Sequence, residues 1–336
     1  MRTARPAGNG RVDVLVVGDA NPDLVLRGDV VPRFGQAEQL LDTANLVMGG
    51  SATIAACGLA RLGVTTAVAA VVGDDSFGRF TVGLLRDAGL DVSAIRLDPE
   101  TPTGLSVILS TAGDRSILTL PGTIPLLTAA EVDAAIVRLR PRHVHIASYF
   151  LQPDLAAELP TVLARIRDSG ASVSLDTNWD PAERWDGLVD VLPLVDVLLP
   201  NTEELVAIAA ALPDLKAAPT GDPIADAAAR ICQLGPVVVV KAGKAGGRSF
   251  APDGVASAAP GLALDVVDTT GAGDSFDAGY LAAVIADVTD EEERLRWAAV
   301  AGSLSTRAAG GTSAQATRAE LDEHLSGTDA RSFARQ

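Results

Sequence analysis

The chain has 336 residues, 48% of them hydrophobic and 4% aromatic, and its 27 Lys and Arg against 43 Asp and Glu leave a net charge of −16. That hydrophobic share supplies a large core and excludes disorder by composition. A chain this acidic, with no local basic patch and few aromatic rings, is a poor partner for nucleic acid or an anionic membrane.

The length is generous for one domain and short for two. Cys57 and Cys232 stand far apart with no CxxC, and the histidines are His143, His145 and His324. This set does not build a zinc site; His143-Val144-His145 reads as alternation inside a strand, and the cysteines as buried thiols of a reducing compartment. Residues 1–10 lack the apolar run of a secretory signal and read as a loose tail. No run of 18 apolar residues occurs, and a cytoplasmic location is expected.

From residue 12 onward, β-branched runs alternate with helical spacing. Strands are predicted at 12–18, 67–73, 143–147, 172–176, 195–200 and 236–241, and helices at 76–88, 128–139, 154–169, 202–211 and 222–234. The near-continuous hydrophobicity of the strands suits a parallel sheet covered on both faces, with right-handed crossovers. Residues 21–47 and 98–122 break the rhythm. They are rich in Asp, Gly, Pro and Thr, carry strand-like pieces such as GLSVILST and RSILTL, and lack a convincing helix. The expected fold is α/β: a doubly wound, mostly parallel sheet in one large domain, with a small β-sheet lid formed by these two insertions.

The most informative segment is Val267-Asp268-Thr269-Thr270-Gly271-Ala272-Gly273-Asp274-Ser275-Phe276, after a strand-like ALDVV and opening a helix near 272–286. Small residues at 271–273 allow a tight turn, and their N–H groups at a helix N-terminus make an anion site. Asp274, in the first turn, would accept a proton from a substrate hydroxyl there. A carboxylate at a helix N-terminus is expected to be a weak base, with a lowered pKa. Asp274 could equally cap its helix. No G-x-x-x-x-G-K-[ST] occurs, which excludes a P-loop kinase by motif.

This string resembles the C-terminal signature of the ribokinase-like, or PfkB-type, carbohydrate kinases. Other blocks resemble the family in the same order: Gly18-Asp19-Ala20-Asn21-Pro22-Asp23, Gly49-Gly50 with SATIAACGLARLG, Val72-Gly73-Asp74-Asp75, Asn201-Thr202-Glu203-Glu204, and Lys241-Ala242-Gly243-Lys244-Ala245-Gly246. The resemblance spans about residues 12–315. It implies Asp274 as catalytic base, with the N–H groups of Gly271, Ala272 and Gly273 as anion hole. Asn21 and Asp23, with Gly49 and Gly50, would hold the sugar. Lys241, Gly243 and Gly246 would close over ATP, and Asn201 and Glu204 would hold Mg²⁺ through water. Asp268 and Thr270 match positions where some relatives bind a monovalent cation such as K⁺. Asn201 could also simply cap the 202–211 helix.

One position departs from the pattern. Where the family's N-terminal signature usually has a sugar-contacting Asn, this chain has Ile54; Ser51 stands where ribokinases tend to have Lys. Ile54 lies off the Ala52, Ala55, Ala56, Leu59 stripe, and so either presents an apolar wall to the pocket or packs in a helix buried on both sides. Arg115 could reach an acidic or keto-acid sugar or stand as a solvated lid arginine, and Trp179 could line the pocket or merely cover the sheet edge. The resemblance implies an ATP- and Mg²⁺-dependent kinase phosphorylating a primary hydroxyl of a small sugar; the unpaired edges and apolar face of an exposed β lid suggest a homodimer through it. A nucleoside kinase of the same family, or a non-catalytic sugar or nucleotide sensor, are the alternatives.

Overall fold

The computed structural model describes residues 11–111, 115–212, 215 and 219–333; the expected N-terminal tail lies outside them. The strands are β1 (Val14–Val17), β2 (Pro22–Gly28), β3 (Leu41–Met48), β4 (Thr66–Gly73), β5 (Asp91–Asp98), β6 (Leu105–Ser110), β7 (Arg115–Leu120), β8 (His143–Ala147), β9 (Ser172–Asp176), β10 (Val197–Leu198), β11 (Val237–Lys241), β12 (Gly247–Phe250) and β13 (Ala256–Ala259). The helices are α1 (Ser51–Arg61), α2 (Ser76–Asp87), α3 (Ala129–Leu139), α4 (Pro153–Asp168), α5 (Leu188–Val191), α6 (Thr202–Ala210), α7 (Pro223–Cys232), α8 (Ala272–Ile285), α9 (Glu291–Ser305) and α10 (Arg318–Phe333).

Nine strands form one sheet in the order β13-β12-β11-β10-β9-β8-β1-β4-β5. Pairing is parallel from β11 across to β5, and β12 and β13 add on antiparallel. Helices cover both faces. Leu159, Leu163 and Ile208 of α4 and α6 pack on one, and Leu59, Tyr280 and Leu304 of α1, α8 and α9 on the other. The winding reverses between β1 and β8, where the carboxyl ends of a doubly wound sheet open a crevice. Asp19, Ser148, Asp176, Asn201 and Lys241 all lie at or just beyond those ends.

His143 and His145 project from β8 toward β9, against Ser172 and Ser174, at 2.7–2.8 Å. Burial pushes their pKa values down to about 3 and about 4, so they are neutral strand residues held by serine hydroxyls. The cysteine thiols are buried and reduced.

A second sheet, β3-β2-β6-β7, is drawn from both Asp/Gly/Pro-rich stretches. Alternation gives it two unlike faces. Asp23, Ser106, Ile108, Arg115 and Thr119 face the crevice. The register sets Leu46, Leu24, Val107 and Leu118 side by side on the outer face, where Leu118 and Leu120 are more than half exposed.

The ALDVV stretch is not a strand. The ladder ends with β13 at Ala259, and residues 260–267 leave the sheet, Leu262, Leu264 and Val266 lining a cavity instead of pairing. β5, β12 and β13 were not legible either: β5 mixes Asp and Arg into a half-buried strand, and β12 and β13 are short runs of Gly, Ser and Ala. Among the described residues no helix is long and apolar enough to cross a membrane.

Candidate active site

Two cavities meet at the start of α8. One, of about 560 Å³, lies beside Lys241, Gly243, Gly246, Thr269, Ala272 and Gly273. The other, of about 230 Å³, lies between the sheet crevice and the second sheet, and takes in Asn21, Asp23, Gly50, Ile54, Gly271 and Asp274. The first turn of α8 is thus their common wall. A third cavity of about 740 Å³, among Arg11, Asp133, Arg140 and Arg165, opens by the amino ends of β1 and β8, away from this chemistry.

Gly271 is the N-cap of α8 in the left-handed region, with φ +70°. A Cβ there would stand 2.7 Å from Cα of Gly311 and 2.9 Å from the Ile54 side chain, so only glycine fits. The N–H of Ala272 donates to the Thr269 carbonyl at 3.2 Å. Of the three N–H groups expected to meet an anion, Ala272 is therefore drawn into the turn, and Gly271 and Gly273 are the donors outside it.

The Asp274 carboxylate accepts a short hydrogen bond from the Ser51 hydroxyl, which in turn accepts from Asn178 Nδ2 at 2.8 Å. Enclosure by protein, reinforced by the Asp176 charge, pushes Asp274 up to about 7. This overturns the expectation of a lowered pKa. Burial and neighbouring carboxylates outweigh the helix dipole, so Asp274 is a far better base near neutral pH than its place in a first turn suggested.

In the smaller cavity Asn21 Nδ2 donates to Asp23 Oδ1 at 3.2 Å, while the buried Asn21 Oδ1 has no partner. Burial and the nearby Asp19 carboxylate push Asp23 up to about 7. Gly49 makes room for that carboxylate: a Cβ at 49 would sit 2.0 Å from Asp23 Oδ1. Asp19, not singled out from the sequence, accepts from the N–H groups of Ser51 and Ala52 at 3.0 and 2.9 Å and so seats α1. Ile54 is buried, lining this cavity while packed on Gly271 and Gly311. Both of its alternatives are partly realised. Arg115 Nη1 reaches Thr270 Oγ1 at 2.9 Å along the cavity rim. Trp179 is half exposed and stacks edge-on against Trp185 rather than lining either cavity.

Asn201 and Glu204 form a reciprocal capping box at α6: Asn201 Oδ1 accepts from the Glu204 N–H, and Glu204 Oε2 from the Asn201 N–H, each at 2.8 Å. Asn201 therefore caps α6. Glu204 is buried and pushed up to about 7 by that burial and by Asp176, the condition of a carboxylate whose charge a nearby cation would relieve. Lys241 does more than line the larger cavity. Its ammonium pairs with Asp176 at 2.6 Å and Asp277 at 3.1 Å, both buried and neither assigned from the sequence. Asp268 accepts from Thr270 N and Oγ1 at 2.9 and 2.8 Å, from Gly310 N at 3.1 Å and from Arg27 Nη2 at 3.1 Å. Burial opposes ionisation of Asp268, but these donors hold its pKa below the usual carboxylate value. Both carboxylate oxygens of Asp268 are thus engaged by protein donors.

Residues 12–318 match the model of the pfkB family of carbohydrate kinases. The chain is 31% identical over 304 residues to an ATP-dependent ribose-1-phosphate kinase of Halopiger xanaduensis, covering 90% of this chain and 95% of the relative. It is also 31% identical over 336 residues to a fructokinase of Klebsiella pneumoniae, covering 94% and 100%. The structure of Arabidopsis thaliana ribokinase complexed with ribose and ATP superposes with a TM-score of 0.79 at 25% identity, covering 94% and 99%. With the family model matched over residues 12–318 and two relatives 31% identical over nearly their whole length, the chain belongs to the pfkB family of carbohydrate kinases, phosphotransferases that act on an alcohol group.

Proposed function

We propose that the protein transfers the γ-phosphate of ATP to a primary hydroxyl of a small sugar. The observation that carries this reading is the first turn of α8, shared by a larger cavity with a glycine-rich wall and a smaller one lined by Asn21, Asp23 and Asp274. ATP enters the larger cavity over Gly243 and Gly246, and the sugar the smaller one beneath the second sheet, which acts as a lid. Asn21 Oδ1, buried without a partner, suits a sugar hydroxyl donor. Asp274 takes the acceptor's proton as the hydroxyl oxygen bonds to phosphorus and the bond to the ADP oxygen breaks. The N–H groups of Gly271 and Gly273, with the helix dipole, hold the charge on the moving phosphoryl oxygens. Mg²⁺, held through water by Asn201 and Glu204, would neutralise charge on the ATP phosphates. A lid shut over the sugar excludes water and suppresses idle ATP hydrolysis.

The Ile54 wall favours an acceptor with an apolar edge where relatives meet an amide. A nucleoside acceptor fits less well, because the smaller cavity is lined by Ile54, Ile108, Ile117 and Leu151 with no aromatic ring among the described residues to stack a base. A binding-only sensor has no need of a raised-pKa carboxylate beside an anion site. ATP turnover across a panel of pentoses, hexoses, their 1-phosphates and nucleosides tests all three. Turnover with a sugar is expected, and Asp274→Asn should cut kcat by about a thousandfold or more with ATP affinity retained. Turnover with nucleosides alone, or near-normal kcat in that variant, overturns the reading. Rates should be equal in potassium and in choline salts, since Arg27 already engages Asp268; strict potassium dependence would refute that reading of Asp268.

The proton affinity of Asp274 can be read without activity. Its folded pKa of about 7 exceeds the usual 3.8, so its contribution to stability is complete below pH 4 and lost as pH rises toward 7. Asn mimics the protonated form. Denaturant melts should therefore show Asp274→Asn gaining on the wild type by on the order of 1 kcal/mol per pH unit between pH 4 and 7. A gap that does not move with pH would contradict the raised affinity.

The outer apolar row of the second sheet, flanked by the unpaired edges of β3 and β7, suits a second copy of the chain in a lid-to-lid dimer. Light scattering should give a dimeric wild type and a monomeric Leu118→Asp variant. A monomeric wild type would remove this assignment.

A further inference from the structure

Behind Asp274 lies a second layer of charge delivered by three separate elements. β9 ends on Asp176, β11 ends on Lys241, and α8 supplies Asp277 one turn after Asp274. The Asp176 and Asp277 side chains are each 1% exposed, and both grip the Lys241 ammonium. Carboxylate oxygens of Asp176, Asp274 and Asp277 all lie within 4.8 Å of one another. Asp277 Oδ1 is buried with no partner. The Lys241 stem passes under the first turn of α8: a Cβ on Gly273 would meet its Cδ, Cε and Nζ at 3.5, 3.7 and 3.8 Å.

Three carboxylates this close in a dry site cannot all be ionised against one ammonium. Burial pushes Asp277 well up, so it holds a proton; burial is also the largest influence on Asp176, but the Lys241 charge together with hydrogen bonds from Lys241, Asp277 and the Asn178 N–H keeps Asp176 charged. Other groups face the cluster: Asp19 from the loop after β1, Glu204 from α6, the neutral His145 from β8, and the Ser51 hydroxyl from α1. Of the three clustered carboxylates, Asp274 alone opens to the smaller cavity, so the charge balance of the hidden groups is felt where the substrate sits.

We propose that Lys241, clamped between Asp176 and Asp277, is a positioning residue that fixes the first turn of α8 against β11 and sets the charge state of Asp274. This rests on Asp274 as the base. Removing the ammonium leaves the negative charges uncompensated and makes Asp274 hold its proton more tightly. Removing the Asp176 charge leaves Lys241 in excess and makes Asp274 release it more readily. A structural prop would lower stability without such opposite signs.

The test is the pH profile of kcat, read on folded protein that still binds ATP. Lys241→Met should move the acidic limb up by about one pH unit, so that turnover at pH 7 falls about fivefold and recovers at higher pH. Asp176→Asn should move the same limb down by about one unit, with acceptor KM unchanged. Should Lys241→Met fail to fold, Asp176→Asn decides alone. A wild-type limb in Asp176→Asn, or shifts of the same sign in both variants, overturns the proposal. Retained turnover in Asp274→Asn would instead overturn the base assignment beneath it.

Discussion

A carboxylate taken out of water, with other carboxylates beside it, resists ionisation, and the site is organised around that resistance. Asp19, Asp176, Glu204, Asp274 and Asp277 gather at the carboxyl ends of the parallel strands or on the helices that cap them, and Asp23 joins them from β2 of the second sheet. Against them stand one buried ammonium, from Lys241, and the N–H groups at the starts of α1 and α8. Parallel strands make this crowding unavoidable, because each one ends on the same side and hands its next residue to the same crevice. The net charge of −16 is thus partly a local matter: the start of α8 offers backbone donors to an anion in a chain that is acidic elsewhere.

The second sheet is tied to this centre at one short segment. Arg27 on β2 binds Asp268, Arg115 on β7 binds Thr270, and Asp268 itself binds Thr270. The turn that presents Gly271 and Gly273 is therefore shaped from the lid side as well as from the core. A displacement of the second sheet would act on that turn directly through these contacts.

What was legible in the sequence was whatever is contiguous. The 267–276 string gives a turn, a helix start and a carboxylate without reference to distant residues, and the β-branched runs read as buried strands because both faces are covered. Contacts across the fold were not legible. Lys241 lies 65 residues from Asp176 and 36 from Asp277, and nothing in its glycine-flanked loop announces two buried partners. Local rules also misled where burial overrode them. The helix dipole predicted an acidic Asp274, and apolar alternation at 263–267 predicted a strand where the chain instead lines a cavity. Asn201 shows a residue type suited to two roles, of which only the cap is written in its hydrogen bonds.

The central pair of the second sheet, β2 with β6, is parallel and joins residues 23–27 to 106–110. Between them the chain must complete β4, α2 and β5, all part of the large sheet's layers. A parallel pairing across so long an excursion cannot nucleate by itself, because the entropy of closing that loop is met only once the intervening elements have docked. The small sheet is therefore assembled by the large one. It has no independent existence from which to fold first.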